Sequence, residues 1–185
     1  MVIRVRNDLE LRTLEEGDAA TLYALTEANR RYLHEWLPWV DQTWSAEDSL
    51  RFVRMVRQQE AENNGFSAGL WVDGELAGTI GVHRIDWTNN ATSIGYWIAQ
   101  HRQGRGLVTD ACRAVVNHAF SKWGLNRTEI RCATGNHKSR AIPLRLGFRH
   151  EGTLREAQWV SGQFVDLEVY AMLAREWADP QISGG

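Results

Sequence analysis

No stretch of roughly 18 apolar residues occurs anywhere in the 185-residue chain, so no membrane-spanning helix is expected. The opening MVIRVRNDLELR mixes charge with short apolar runs and builds no signal-like apolar core, which points to a cytoplasmic protein. Cysteine is scarce. Cys112 falls on a helical apolar stripe and Cys132 in a strand-like run, so both read as buried thiols in a reducing compartment, not as a disulfide. The six histidines fall in no HExxH spacing and no CxxC occurs, so no metal is expected. A net charge of −2 gives no electrostatic case for nucleic acid. There is no G-x-x-x-x-G-K-[ST], and no G-x-G-x-x-G followed by an acidic ribose ligand, which removes nucleoside-triphosphate and dinucleotide readings. Repeats, low-complexity runs and linkers are absent too. One domain over 1–185 is expected, long enough to bury a core without staples.

What is present is an ordinary globular composition, 43% hydrophobic and 24% charged, with nine tryptophans, of which Trp36, Trp39 and Trp44 lie close together in the chain. The most informative stretch runs from residue 94 to 123. An apolar strand, Ile94 to Ile98, passes through a basic glycine-containing turn into a helix whose Cys112, Val115, Val116, Ala119, Phe120 and Trp123 recur at spacings of three and four. Gly124 stops that helix. Gly104 and Gly106 permit positive φ and close backbone approach. The helix start offers unpaired N–H groups and the positive end of its dipole, so an anion is favoured in the turn. Gln103 and Arg105 add donors. An ordinary strand-to-helix turn with a basic surface is the competing reading.

Along the chain, Leu9 to Arg12 alternates as a strand. A helix begins at Gly17-Asp18, carries Leu22, Leu25 and Ala28 inward, and is ended locally by Pro38. Ser45 to Asp48 forms a capping box for a helix over 46–62. A meander follows: strand 66–72, an Asp73-Gly74 hairpin turn, strand 75–83, a turn at 87–90, and the strand ending at Ile98. After the central helix come a strand over 128–134, a short helix over 136–146 closed by Gly147, and strands over 148–154 and 164–173 joined around Ser161-Gly162. The order is β-αα-βββ-α-β-α-ββ, a mixed α/β fold.

The turn Gln103-Gly104-Arg105-Gly106-Leu107-Val108 resembles the acetyl-CoA signature of the GNAT superfamily of N-acetyltransferases, [QR]-x-x-G-x-[GA], with Val108 in place of the last small residue. The element order is also that of GNAT enzymes. The segment from Asn136 to Phe148, with Asn136, Ser139 and Gly147-Phe148, resembles the N-x-x-S…GF pattern of RimJ/RimL-type ribosomal-protein N-acetyltransferases, as do IGYWI and Asp166 to Tyr170. The resemblance implies a central, mostly antiparallel seven-stranded sheet, splayed between its fourth and fifth strands and flanked by about four helices. It implies acetyl-CoA as the cofactor. The main-chain groups around Trp97, Ile98 and Ala99 would take pantetheine and the thioester carbonyl. Gln103, Gly104, Arg105, Gly106, Leu107, Val108 and Thr109 would cradle the pyrophosphate, with Asn136, Ser139 and Arg145 completing the site.

Pro143 stands where the superfamily's usual tyrosine would meet the leaving thiolate, which leaves Ser139 as the candidate partner, helix capping being the alternative. Asn136 would bond the CoA arm, tie the splayed strand or form a turn. The glutamate proposed as base in RimL-type enzymes corresponds to Gln158, which cannot accept a proton, so Glu156, Asp166 and Glu35 are the fallbacks. The Trp36/Trp39/Trp44 segment would border the acceptor groove, with Tyr96 and Gln158 as further acceptor contacts. His101 and Arg102 are candidates for CoA phosphates. The implied acceptor is the N-terminal amine of a protein, with direct attack and no acyl-enzyme. A small amine is the runner-up, and a CoA-binding sensor without catalysis is the reading from another class. Relatives of this type also imply a homodimer or higher oligomer, with neither nucleic acid nor membrane as partner.

Overall fold

In the computed structural model, which describes residues 1–177, one continuous sheet of eight strands runs through the chain; residues 178–185 of the expected domain lie outside the described residues. The strands are β1 (Val2–Arg6), β2 (Leu9–Thr13), β3 (Phe66–Val72), β4 (Glu75–Val82), β5 (Ala91–Ile98), β6 (Arg127–Ala133), β7 (Arg149–Val160) and β8 (Gln163–Leu173), in the spatial order β1-β2-β3-β4-β5-β6-β8-β7. All neighbours are antiparallel except β5 and β6. The sequence predicts seven strands; the eighth is β1, which turns at Asn7-Asp8 and pairs back on β2 from Val2↔Arg12 to Arg6↔Leu9. Its alternation is hidden because it is an edge strand, with Arg4 and Arg6 where a central strand would carry apolar side chains.

Five α-helices, not four, cover the two faces: α1 (Ala19–Ala28), α2 (Arg30–His34), α3 (Ala46–Ala61), α4 (Leu107–Ser121) and α5 (His137–Arg145). The predicted first helix is broken at Asn29, whose Nδ2 donates to the Leu25 carbonyl at 2.8 Å while its Oδ1 accepts the Gln100 N–H at 2.8 Å. Pro38 opens a 3-10 turn, Pro38–Gln42, instead of ending the helix directly, because a missing N–H costs nothing in a first turn. One core lies beneath α4 and α5. Leu107, Ala111, Cys112, Val115, Val116 and Ala119 of α4 pack there on Phe66, Ile80, Ile94 and Ile130. The second, under α1 to α3, gathers Leu22, Leu33, Val53, Trp71, Leu76 and Trp97. Both cysteines are buried and free.

The parallel ladder between β5 and β6 runs only from Ala91↔Arg127 to Ile94↔Ile130. Beyond it, β5 stays with β4 as far as Gly78↔Ile98, and β6 stays with β8 as far as Ala133↔Leu167, so the two strands splay apart. Gly78 is what permits the tight side of this opening: a Cβ there would meet the Trp97 carbonyl oxygen at 2.2 Å.

Candidate functional site

A cleft of about 1170 Å³ opens at the splay, between α2 on one side and the starts of α4 and α5 on the other. Its floor is the free edge of β5. Ala99 donates its N–H to the Ala77 carbonyl at 2.7 Å, which fixes the alternation: the Trp97 backbone groups and the Ala99 N–H turn to β4, while the groups of Tyr96 and Ile98 turn into the gap. The Ile98 carbonyl already accepts the Tyr32 hydroxyl at 3.1 Å. The Ile98 N–H, like that of Tyr96 further along the strand, faces the gap. Of the three residues expected to give main-chain groups, Trp97 and Ile98 line the cleft and Ala99 does not.

The cradle closes one end of the cleft. Gly104 has φ +76 and Gly106, at the N-cap of α4, has φ +75, conformations that cost an L-residue on the order of 1 kcal/mol. A Cβ on Gly104 would touch nothing within 4 Å, and one on Gly106 would come no nearer than 3.9 Å to Asp110, so the backbone conformation requires these glycines, not crowding by the protein. The space a Cβ would fill is open at Gly104 and bordered only by Asp110 at Gly106. Leu107, Val108 and Thr109 follow in the first helical turn, where amides lack intrahelical acceptors. Asp110 bonds the Arg6 guanidinium at 2.9 Å, and Arg105 lies 3.7 Å from Asp8, so β1 anchors this turn. Lys138 Nζ reaches across from α5 to Gln103 Oε1 at 2.9 Å. Arg145 and Arg102 line the cleft, Arg102 while bound to Glu75 at 2.6 Å, and His101 is not among the lining residues.

The opposite wall is the start of α5. Asn136 caps that helix, its side chain accepting the Ser139 N–H at 3.2 Å. The cap is thus Asn136, and the Ser139 hydroxyl is left for other partners. Ser139 Oγ lies 3.2 Å from Cys132 Sγ and 3.4 Å from the Tyr96 hydroxyl, and Tyr96 donates to the Ser139 carbonyl at 3.0 Å. Burial pushes the Cys132 thiol and the Tyr96 phenol up, so both stay protonated at neutral pH. The phenol end of Tyr96 is bonded to Ser139, and Tyr96 lines the cleft.

The tryptophan segment does not form one wall. Trp36 lines the cleft and reaches toward Gly135, but Trp39 packs on Trp97 at a centroid distance of 6.0 Å, and Trp44 stands 65% exposed beneath the Arg30 guanidinium. Gln158 pairs with Val165 on β7 and β8 and is not among the lining residues. Asp166 Oδ1 accepts the Glu156 N–H at 2.7 Å, and neither of these residues lines the cleft. Glu35 does. Sequence reasoning missed Tyr32 and Lys138, since nothing in their local pattern marks them, and missed the contact of Cys132 with Ser139, which depends on how α5 docks.

The family pattern described as "Acetyltransferase (GNAT) domain" matches residues 8–149. YdaF of Bacillus subtilis (strain 168) is 42% identical over 176 residues, covering 94% of this chain and 96% of that protein. The ribosomal-protein-serine acetyltransferase of Escherichia coli (strain K12) is 31% identical, covering 92% of this chain and 96% of that one. Among solved structures, RimL, a ribosomal alpha-N-protein acetyltransferase in complex with coenzyme A, superposes with a TM-score of 0.91 at 26% identity, covering 94% of this chain and 98% of that chain.

Proposed function

This chain belongs to the acetyltransferase (GNAT) domain family and is an acyltransferase that uses acetyl-CoA, and from that premise we propose that its acceptor is the N-terminal α-amine of a ribosomal protein. The observation that carries the reading is the open edge of β5 at the splay. It turns the Ile98 N–H into the cleft, between the glycine cradle and the Ser139 hydroxyl.

When bound, acetyl-CoA supplies the activated acetyl thioester. The residues fit it: the first-turn amides of α4, with Gln103, Gly104, Arg105 and Gly106, would hold the pyrophosphate, and Lys138 and Arg145 would add positive charge. The Ile98 N–H is the donor for charge developing on the thioester oxygen; a donor of that kind is worth about 3 kcal/mol in the transition state. Ser139 donates a hydrogen bond to the departing sulfur. A hydroxyl is a weak acid, so its part is to stabilise the thiolate while solvent supplies the proton. The acceptor needs no strong base, because roughly a tenth of an α-amine with pKa near 8 is already neutral at pH 7. Glu35, within the cleft, is the carboxylate placed to meet the amine, and Trp36 borders its path. Attack is direct, with no acyl-enzyme. A ribosomal acceptor sets the activity in the cytoplasm.

The test is release of free CoA thiol in the presence of N-terminal peptides of ribosomal proteins, polyamines and aminoglycosides in parallel. Stimulation by the peptides supports the reading. Stimulation by small amines alone replaces the acceptor, and CoA binding without release under any acceptor leaves a sensor.

A further inference from the structure

The Ser139 carbonyl lies in the first turn of α5, where it would ordinarily accept the N–H four residues on. That residue is Pro143, which has no N–H, so this helical bond cannot form. The carbonyl is instead met from the neighbouring strand by the Tyr96 hydroxyl at 3.0 Å. We propose that Tyr96 is a positioning residue for acetyl transfer, seated on the carbonyl that Pro143 leaves free and thereby holding the Ser139 hydroxyl at the splay.

The proton inventory gives this contact its character. A phenol has one proton, and the shorter contact assigns it to the carbonyl. Toward Ser139 Oγ, at 3.4 Å, the phenol oxygen is then an acceptor only, and the bond is long and weak. On its other side Ser139 Oγ faces the protonated Cys132 thiol at 3.2 Å, a contact in which either group can donate. The serine hydroxyl is aimed but not locked. It can exchange a weak neutral partner for a thiolate, and charge-assisted bonds are roughly twice as strong as neutral ones. The one phenol proton is held on the Ser139 carbonyl, and burial makes the phenol a poorer acid. Its contribution is the place it gives Ser139. In this chain the strand, through Tyr96, answers the proline that stands in α5.

The proposal rests on the reading of Ser139 given above, and a set of five variants separates the two. Tyr96→Phe keeps the ring and removes only the hydroxyl. Loss of one neutral hydrogen bond predicts a fall in kcat of up to about tenfold. KM for acetyl-CoA should stay within about twofold, a split that a general loosening of the fold would not give. In a Ser139→Ala background the same change should have no further effect. In a Pro143→Ala background, where a new N–H at 143 can serve the carbonyl, the loss should shrink to about threefold or less. Three results overturn the proposal: Tyr96→Phe at wild-type kcat, an equal loss without Ser139, or an undiminished loss without Pro143. A Ser139→Ala variant with wild-type kcat would instead remove the underlying reading of Ser139, and the proposal with it.

Discussion

Replacing Asn136 separates what holds α5 from what acts in the cleft. Its side chain accepts the Ser139 N–H at 3.2 Å, and α5 has only nine residues, so the cap is a large share of what fixes the helix start. Asn136→Ala removes that acceptor at a cost of about 1 kcal/mol. In a chain of 185 residues this corresponds to a Tm lower by roughly 2–4 °C. Asn136→Asp keeps the acceptor, because Asp caps as well as Asn, so its Tm should return to about that of the wild type. The carboxylate, however, stands in a cleft that must take phosphates and a thiolate. At about 10 Å and an effective dielectric near 20 the repulsion is on the order of 1–2 kcal/mol, or roughly five- to thirtyfold in KM for acetyl-CoA, weakening as salt is added. Melting followed by circular dichroism and thiol-release kinetics at two ionic strengths read the two effects apart. If Asn136→Asp melts as low as Asn136→Ala, or if Asn136→Ala melts with the wild type, the capping account is wrong.

Ser139→Ala leaves the backbone N–H to its cap, so Tm should hold while kcat falls roughly ten- to a hundredfold, the worth of one hydrogen bond to a charge; steady-state kinetics showing a raised KM with unchanged kcat would refute that role. Gly106→Ala, at φ +75, should cost about 1 kcal/mol of stability and, by placing a methyl in the cradle, weaken acetyl-CoA severalfold by calorimetry; unchanged affinity would mean that the cradle is not the phosphate site. Glu168 on β8 accepts from Thr153 at 2.9 Å, from His150 at 2.5 Å and from Thr134 at 3.1 Å, and bonding to Thr153 first, then His150, holds its carboxyl below the usual carboxylate range. A depressed folded pKa adds stability above the unfolded value near 4.3 that is lost as pH falls through the folded one. Glu168→Gln should therefore be less stable than the wild type in urea at pH 7, with the gap narrowing toward pH 3; a gap independent of pH would show that the charge contributes nothing.

Much of this site is visible in the sequence because its parts are local. Glycines that must take positive φ before a helix and an Asp-Gly hairpin each declare themselves within a few residues, whereas the sequence offers Ser139 as the cap of α5 and the cap is Asn136. What the sequence hides depends on distant partners. Trp36, Trp39 and Trp44 share type and neighbourhood, yet one lines the cleft, one packs on Trp97 and one lies over solvent. Tyr96 reads as an acceptor contact until α5 docks and gives its hydroxyl the Ser139 carbonyl. The last part of β7 escapes because Glu156, at φ +49, sits in a bulge between Leu154 and Gln158 that breaks the alternation. The break at Asn29 is set by Gln100, 71 residues away.

The central claim, acetyl transfer to a protein N-terminus, is tested most directly by incubating the enzyme with deuterium-labelled acetyl-CoA and purified ribosomal proteins, then mapping the label by mass spectrometry. The account predicts labelled acetyl on the α-amine of one N-terminal peptide, and none when Gly106→Trp blocks the cradle. Label confined to lysine side chains, or no protein label while a small amine is consumed, would contradict it.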